Sequence, residues 1–512
     1  MADASPTVRT RSGRLQASRP SELVDEATWE AAHDDVVRTL RELIALPTIN
    51  PPGNETLVAT YLQRSLASVG VATRIVEPTP GRGSLIARLR GDGTGGGPLL
   101  LLSHTDVVPA PAEGWSHPPF AGDLAGGYVW GRGALDMKAM VAMELLVVRM
   151  LAAEARKAGL NPNTDRIPGL TRDIIFAATA DEETGGFHGA GWIVDNEPEL
   201  LRADLCLTEA GGVSITVGGH RFYPIQVAEK GWAKIRITAH GRWGHGSMPG
   251  IDDVTTADNA AIVAARVVER LSAPTPVKMT PAAKRLLDGV RPHLSRPALA
   301  ALERVLHAER IRAGSFSEDA ALEDGLDNTP DEAARDETAV TCRPELVRAL
   351  AATLRHTVSP NVIRAGVKHN VIPGVAEVEA DVRVLPGSTE DDAIALVRRM
   401  IGPALAARCT VEVDLWGPPV EIEPNPEVFG LLADALCAHD PEGIPVPALA
   451  PFSTDAKHMQ RIGVPTYGFS PLLLEPDERF FELFHGDDER VSLAALRFGL
   501  PVLYDVVRTY CG

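Results

Sequence analysis

The chain has 512 residues, which at roughly 150 residues per domain gives about two to four domains and ample core without disulfide or metal staples. Its 68 Asp and Glu outnumber its 50 Lys and Arg, for a net charge of −18. That excludes nucleic acid and an anionic membrane as main partners, because both demand a basic surface. The five cysteines, at 206, 342, 409, 437 and 511, are scattered and form no CxxC. They read as reduced thiols in a reducing, cytoplasmic setting. No apolar run approaches the roughly 20 residues of a membrane span. The N-terminus lacks an apolar core and carries Arg9, Arg11, Arg14 and Arg19 against Asp3, so residues 1–26 read as a disordered arm, with a transit peptide the alternative.

Apolar residues recur at Val36, Leu40, Leu43 and Ile44, so residues 27–49 read as a helix stopped by Pro47, and Glu55–Val69 as a second. Short β-rich runs follow at Thr73–Val76, Ser84–Leu89 and Pro98–Ser103. The last, PLLLLS, is continuously apolar, as for a strand buried on both faces. Met137–Lys157 reads as a long helix, and Asp173–Ala180 and Asp204–Thr208 as two more buried strands. This alternation predicts an α/β fold, a mostly parallel mixed sheet flanked by helices. Past Gly218 the pattern changes. Ala233–His240 and Val375–Leu385 alternate, with helices at Thr255–Leu271 and Glu390–Ala407 and a strand at Thr410–Leu415, which predicts a small α+β domain. A helical, charged stretch at 275–355 interrupts it, with an acidic run at 316–337 read as a solvated face or mobile loop. From Pro418 the buried-sheet character returns, with a helix at Pro426–His439 and a strand at Val464–Phe469.

Polar clusters stand at the ends of the buried strands, where open α/β sheets form their sites. His104-Thr105-Asp106 follows PLLLLS, Asp181-Glu182-Glu183 follows DIIFAATA, and Glu209 follows DLCLT; Asp136 lies in GRGALDMK and His485 in FHGDDERV. Singly these are a structural histidine, a solvated turn and a helix cap. Together, two His and several carboxylates make a ligand set for two divalent cations. Zn²⁺ suits mixed imidazole and carboxylate donors better than Mg²⁺ or Ca²⁺.

The strings SHTDVVPA, GWSHPPFAG, GRGALDMK, TADEETGG, TEAGG, GRWGHGSMPG, HNVIPG, DVRVLPG and FHGDDERV, in this order, resemble the dizinc metallopeptidase and amidohydrolase family of glutamate carboxypeptidase, aminoacylase and succinyl-diaminopimelate desuccinylase. The likeness spans residues 35–510 and is closest to the carboxypeptidase/dipeptidase-like branch. It implies a zinc-exopeptidase-like catalytic domain at 27–217 and 418–512, with an inserted lid and dimerisation domain at 218–417.

The resemblance also implies roles. His104 and Glu209 would hold one Zn²⁺, Glu183 and His485 the other, and Asp136 would bridge them; Co²⁺ or Mn²⁺ are possible substitutes. Asp106 would accept the His104 ring N–H. Glu182 would be the general base, taking a proton from a water shared by the ions. His245 would donate to the developing oxyanion, often across a homodimer. Asn370, Arg383 and, through its backbone, Gly468 would bind substrate; an Arg fork matches a carboxylate. His117, His188, His220, His240 and His369 lie off the ligand positions and read as incidental. The chain departs from the family at Phe452-Ser453, where Gly-Gly is usual, and in the enlarged stretch at 275–355.

The implied reaction is hydrolysis of an amide bond next to a free α-carboxylate in a small-molecule substrate. A carboxypeptidase or dipeptidase and an N-acyl-amino-acid amidohydrolase both remain open, as does a non-catalytic metal-binding scaffold.

Overall fold

The computed structural model describes residues 19–250, 258–296, 298–300, 302 and 344–512. Most of the N-terminal arm, the acidic 316–337 run and the middle of the 275–355 insertion lie outside the described residues. The chain divides into two compact units. One comprises the residues up to Gln226 with Glu423–Pro447 and Thr454–Gly512; the other comprises Val227–Ile422 with Ala448–Ser453.

The first unit is built on a mixed sheet whose centre is parallel. Its order runs Thr73–Val76, Ser84–Leu89, Ile174–Thr179, Leu99–His104, Leu205–Thr208, Thr466–Gly468. The last four run parallel to one another, and the first two add antiparallel strands at one side. Every residue of Leu99–His104, Ile174–Thr179 and Leu205–Thr208 is buried. That explains why these segments are continuous apolar runs: both faces are covered. Leu100, Leu102, Ile175 and Ala177 pack against Ile193 and Met459, from the helices Ala190–Asn196 and Ala456–Arg461. The helices Lys138–Lys157 and Leu493–Cys511 also pack on Leu99–His104. The first helix spans Glu26–Ile44, capped by the Asp25 side chain at Thr28 N, and ends before Pro47 as the pyrrolidine ring requires.

A small antiparallel sheet of Asp123–Ala125, Tyr128–Trp130 and Arg490–Ser492 has no counterpart in the sequence pattern. Its strands have three residues each, too short for alternation to register. It brings the GRGALDMK and FHGDDERV loops together across a sequence separation of 353 residues between Asp136 and Glu489.

The second unit is a four-stranded antiparallel sheet, ordered Thr357–Ala365, Val375–Val384, Gly231–His240, Cys409–Gly417. Buried and partly exposed residues alternate along Gly231–His240 and Val375–Val384. The buried set packs on Val263, Val267, Leu396 and Val397 of the helices Ala260–Leu271 and Glu390–Ile401. The edge strand Thr357–Ala365 leaves no mark in the pattern. It is mostly exposed, contains Pro360 and has a bulge between Pro360 and Val362, all of which erase alternation. The single helix expected at Glu390–Ala407 is two, Glu390–Ile401 and Pro403–Ala406. Gly402, at φ 81°, and Pro403 break it.

Candidate metal centre

The central strands deliver their polar ends to one place. His104 is the last residue of its strand and its side chain is buried. Its Nε2 lies 2.9 Å from Asp136 Oδ1 and 3.6 Å from Glu209 Oε2. His485 Nε2 lies 3.3 Å from Asp136 Oδ2 and 3.2 Å from Glu183 Oε2. Asp136 thus presents one oxygen to each imidazole, and each imidazole has its own glutamate. Ligand atoms of His104, Asp136 and Glu183 all lie within 4.8 Å of one another, as do those of His104, Glu182 and Glu209. The five ligands expected from the sequence are therefore brought together with Glu182.

Backbone strain clusters here. Asp181, Ala210, His485 and Asp488 have φ of 74°, 74°, 56° and 58°, in the left-handed region that non-glycine residues avoid. The first two adjoin Glu182 and Glu209, and the third is itself a candidate ligand. Such conformations persist where the surroundings over-determine them, typically at functional sites.

The supports are polar and buried. Asp106 accepts the main-chain N–H of Glu182 at 3.1 Å, that of Glu183 at 3.0 Å, and Asn50 Nδ2 at 2.8 Å. Its carboxylate therefore fixes the Glu182–Thr184 turn. His104 Nδ1 faces the Asp106 main-chain oxygen at 3.1 Å and the carboxylate Oδ1 at 3.5 Å, so the nearer acceptor is backbone.

Below the turn, the buried guanidinium of Arg82 pairs with Asp181 at 2.6 Å and Glu55 at 2.9 Å. Glu489 is fully buried and accepts from the N–H groups of Gly133, Leu135 and Asp136 at 3.0, 2.7 and 3.0 Å, while pairing with Arg132 at 2.6 Å. His458 Nε2 meets Gly185 O at 2.8 Å, just past the turn. Motif reading alone misses Arg82, Glu55, Glu489, Lys457 and His458. Of these, Glu489 alone carries a signal, its place in FHGDDERV.

The electrostatics fit a cation site. Burial pushes Glu182 well above the ordinary carboxylate range, raises Glu183, and lifts Glu209 to about 7. Burial acts the same way on Asp136, but hydrogen bonds from His104 and His485 outweigh it and hold that carboxyl far below its usual value. Burial disfavours charge on His104; the carboxylates of Glu209, Asp106 and Asp136 override it and raise its pKa well above 6.5. Hydrogen bonds to Asp136 and Glu183 take His485 up to about 10. Acids crowded enough to resist ionisation, beside imidazoles driven to be cationic, mark a cluster that needs positive charge. Glu183 Oε1 is also buried without a hydrogen-bond partner. The donor set and this orphaned oxygen both fit divalent metal, with imidazole nitrogens favouring zinc.

The remaining site candidates divide by unit. Gly468, in the first, closes the strand Thr466–Gly468, where a Cβ would come within 2.4 Å of Glu209 O, so its smallness lets the strands approach beside a candidate ligand. His245, Asn370 and Arg383 belong to the second unit. His245 is exposed, its Nδ1 2.7 Å from Ser247 Oγ, in a two-residue strand paired with Val371–Ile372. Asn370 is its close neighbour: Asn370 O accepts from Gly246 N at 2.8 Å, and its Oδ1 is buried without a hydrogen-bond partner. Arg383 stands on Val375–Val384 with its fork on Asp381, at 2.7 and 3.0 Å. His117, His188 and His240 have local partners in Asp123, Thr79 and Thr410.

Fold and ligand set together define an α/β chain with a candidate dinuclear metal centre and an inserted α+β unit. Residues 100–509 match the model of peptidase family M20/M25/M40, and the chain belongs to that family. It is 33% identical to aminoacylase-1 of Sus scrofa over 220 residues, 43% of this chain and 50% of that protein. It is 33% identical to succinyl-diaminopimelate desuccinylase of Methylorubrum extorquens over 211 residues, 40% of this chain and 50% of that one. The chain thus spans about half the length of the curated relatives it matches. An M20 family metallo-carboxypeptidase from Sulfolobus solfataricus superposes with a TM-score of 0.62 at 16% identity, covering 93% of this chain and 99% of that chain. At that identity the likeness speaks for the fold alone. No described helix is long and apolar enough to cross a membrane.

Proposed function

We propose that this chain is a dizinc hydrolase of amide bonds adjacent to a free α-carboxylate, acting on dipeptides or C-terminal residues. The observation that carries the reading is the paired arrangement of His104 and His485 on the two oxygens of Asp136, each with its own glutamate. His104 and Glu209 would hold one ion, His485 and Glu183 the other, and Asp136 both. Bound zinc would supply a polarised carbonyl and a more acidic water. The chain's own residues do the rest. Glu182 takes a proton from the attacking water and returns it to the leaving nitrogen. Asp106 and Arg82 hold its turn in place. His245 serves the developing oxyanion, Asn370 and Arg383 the substrate carboxylate, and Gly468 the backbone beside it. These four roles rest on the family likeness, as does the homodimer.

A second reading, hydrolysis of N-acyl amino acids, is favoured by the relatives named aminoacylase-1. The free thiols at Cys206, Cys409, Cys437 and Cys511 support a cytoplasmic setting.

The deciding experiment loads the full chain with zinc and assays it against dipeptides, N-acetyl amino acids and long-acyl amino acids. Turnover of dipeptides supports the first reading; turnover confined to acyl amino acids supports the second. Glu182→Gln should keep the bound zinc and lose turnover by about 100-fold or more. Full activity in that variant removes Glu182 as the base.

A further inference from the structure

The short helix Ala456–Arg461 places a lysine beside Glu182. The Lys457 side chain is 2% exposed, and its Nζ lies 3.6 Å from Glu182 Oε1 and 3.9 Å from Asp455 Oδ1. Nζ also donates to the main-chain oxygen of Thr454 at 2.8 Å, which anchors the ammonium from behind. A lysine on a short helix can usually extend its charge to water. Here the stem is enclosed and the charge is turned to the acidic cluster.

We propose that Lys457 is a positioning residue for Glu182. Its ammonium grips the carboxylate by Oε1, fixes the side-chain rotamer and leaves Oε2 for the proton of the attacking water. The geometry suits such a grip, since the ammonium is anchored on Thr454 O and two carboxylates lie within ion-pair range, inside 4 Å. An enclosed lysine whose ammonium is already held by Thr454 O loses little freedom when it holds a neighbour. Without that grip Glu182 would sample rotamers that face away from the reacting atoms, and misplacement by about 1 Å costs catalysis about 100-fold. This inference rests on the reading of Glu182 as the base.

The test uses the zinc-loaded full chain and five variants: Lys457→Met, Lys457→Gln, Lys457→Arg, Glu182→Gln, and the double variant of Lys457→Met with Glu182→Gln. Lys457→Met should lower kcat by about 10- to 100-fold, with KM within about 2-fold and zinc content and thermal midpoint close to the parent. Lys457→Arg, which keeps the charge, should recover most of kcat. In the Glu182→Gln background the Met substitution should cost less than about 2-fold, because a group acting through Glu182 has nothing left to position. Lys457→Gln, which keeps a donor for Thr454 and drops the charge, carries the same expectation should the Met variant not fold. An unchanged kcat in Lys457→Met or Lys457→Gln overturns the proposal. So does an equal loss in both backgrounds, or a loss that tracks departing zinc. An active Glu182→Gln overturns the base assignment itself, a result distinct from each of these.

Discussion

The Glu489 carboxylate accepts the main-chain N–H of Asp136 at 3.0 Å. The same oxygen takes Leu135 N at 2.7 Å, and the other takes Gly133 N at 3.0 Å and Arg132 at 2.6 Å. Because Glu489 follows His485 closely in the chain, one buried side chain ties the loop of one candidate ligand to the loop of another. Neither loop has secondary structure at the ligand itself, so this clamp sets their spacing.

Removing the clamp should therefore weaken metal binding without touching a ligand. In Glu489→Ala, zinc affinity should fall about 10- to 100-fold, the usual effect of losing a group that orients ligands. Stability should also fall by about 3–5 kcal/mol, because the buried Arg132 guanidinium loses its partner. Competition against a chelator of known affinity measures the first, and denaturant unfolding the second. Unaltered zinc affinity would mean that the loops hold their spacing by other contacts.

Arg82 invites a second prediction. It stands between Glu55 and Asp181 with only 8% of its side chain exposed. Glu55 is raised to about 7 by burial, with the charge of Asp106 adding to it and Arg82 opposing it. Arg82→Met should destabilise the chain by about 3–5 kcal/mol, since it strands buried carboxylates. Without Arg82, Glu55 rises further, the folded chain holds a proton that the unfolded chain releases, and stability drops as pH climbs. Both proteins hold that proton below about pH 7, so in urea titrations the gap between variant and parent should stay level from pH 5 to about 7 and widen above about 7. A gap that narrows over that range contradicts the assignment.

What the sequence disclosed and what it hid follow from range. Buried parallel strands announce themselves through runs such as PLLLLS, and ligands at their ends inherit a fixed place: His104, Glu209 and the Glu182–Glu183 pair are legible for that reason. His485 and Asp136 lie outside such strands, and only their motifs mark them. Arg82 and Lys457 are invisible. Each stands in an ordinary string, and its role arises when the chain brings it against Asp181, 99 residues away, or Glu182, far earlier in sequence. Single-residue composition carries no trace of such pairings. The edge strand Thr357–Ala365 is hidden by Pro360 and the bulge after it, because periodicity signals a strand only when one face is buried.

Glu144 supplies the last prediction, and it is not among the candidate ligands. It is fully buried in the helix Lys138–Lys157, in contact with the Ser103 hydroxyl, and its Oε1 has no hydrogen-bond partner. Burial pushes it from the ordinary 4.5 up to about 8, against the opposing pull of the Ser103 hydroxyl. The folded chain therefore keeps a proton here that the unfolded chain gives up. The native state binds more protons between about pH 4.5 and 8, so this group's contribution is whole below 4.5 and is lost as pH rises through that window. The loss should reach a few kcal/mol by pH 8, the order expected for a shift of this size. Glu144→Gln removes the titration while preserving shape, so the variant should gain on the parent as pH rises from 5 to 8. Denaturant midpoints of the two proteins, compared at each pH with the same zinc loading, cancel every other titrating group. A difference that stays flat across that range would show that Glu144 ionises freely in the folded chain.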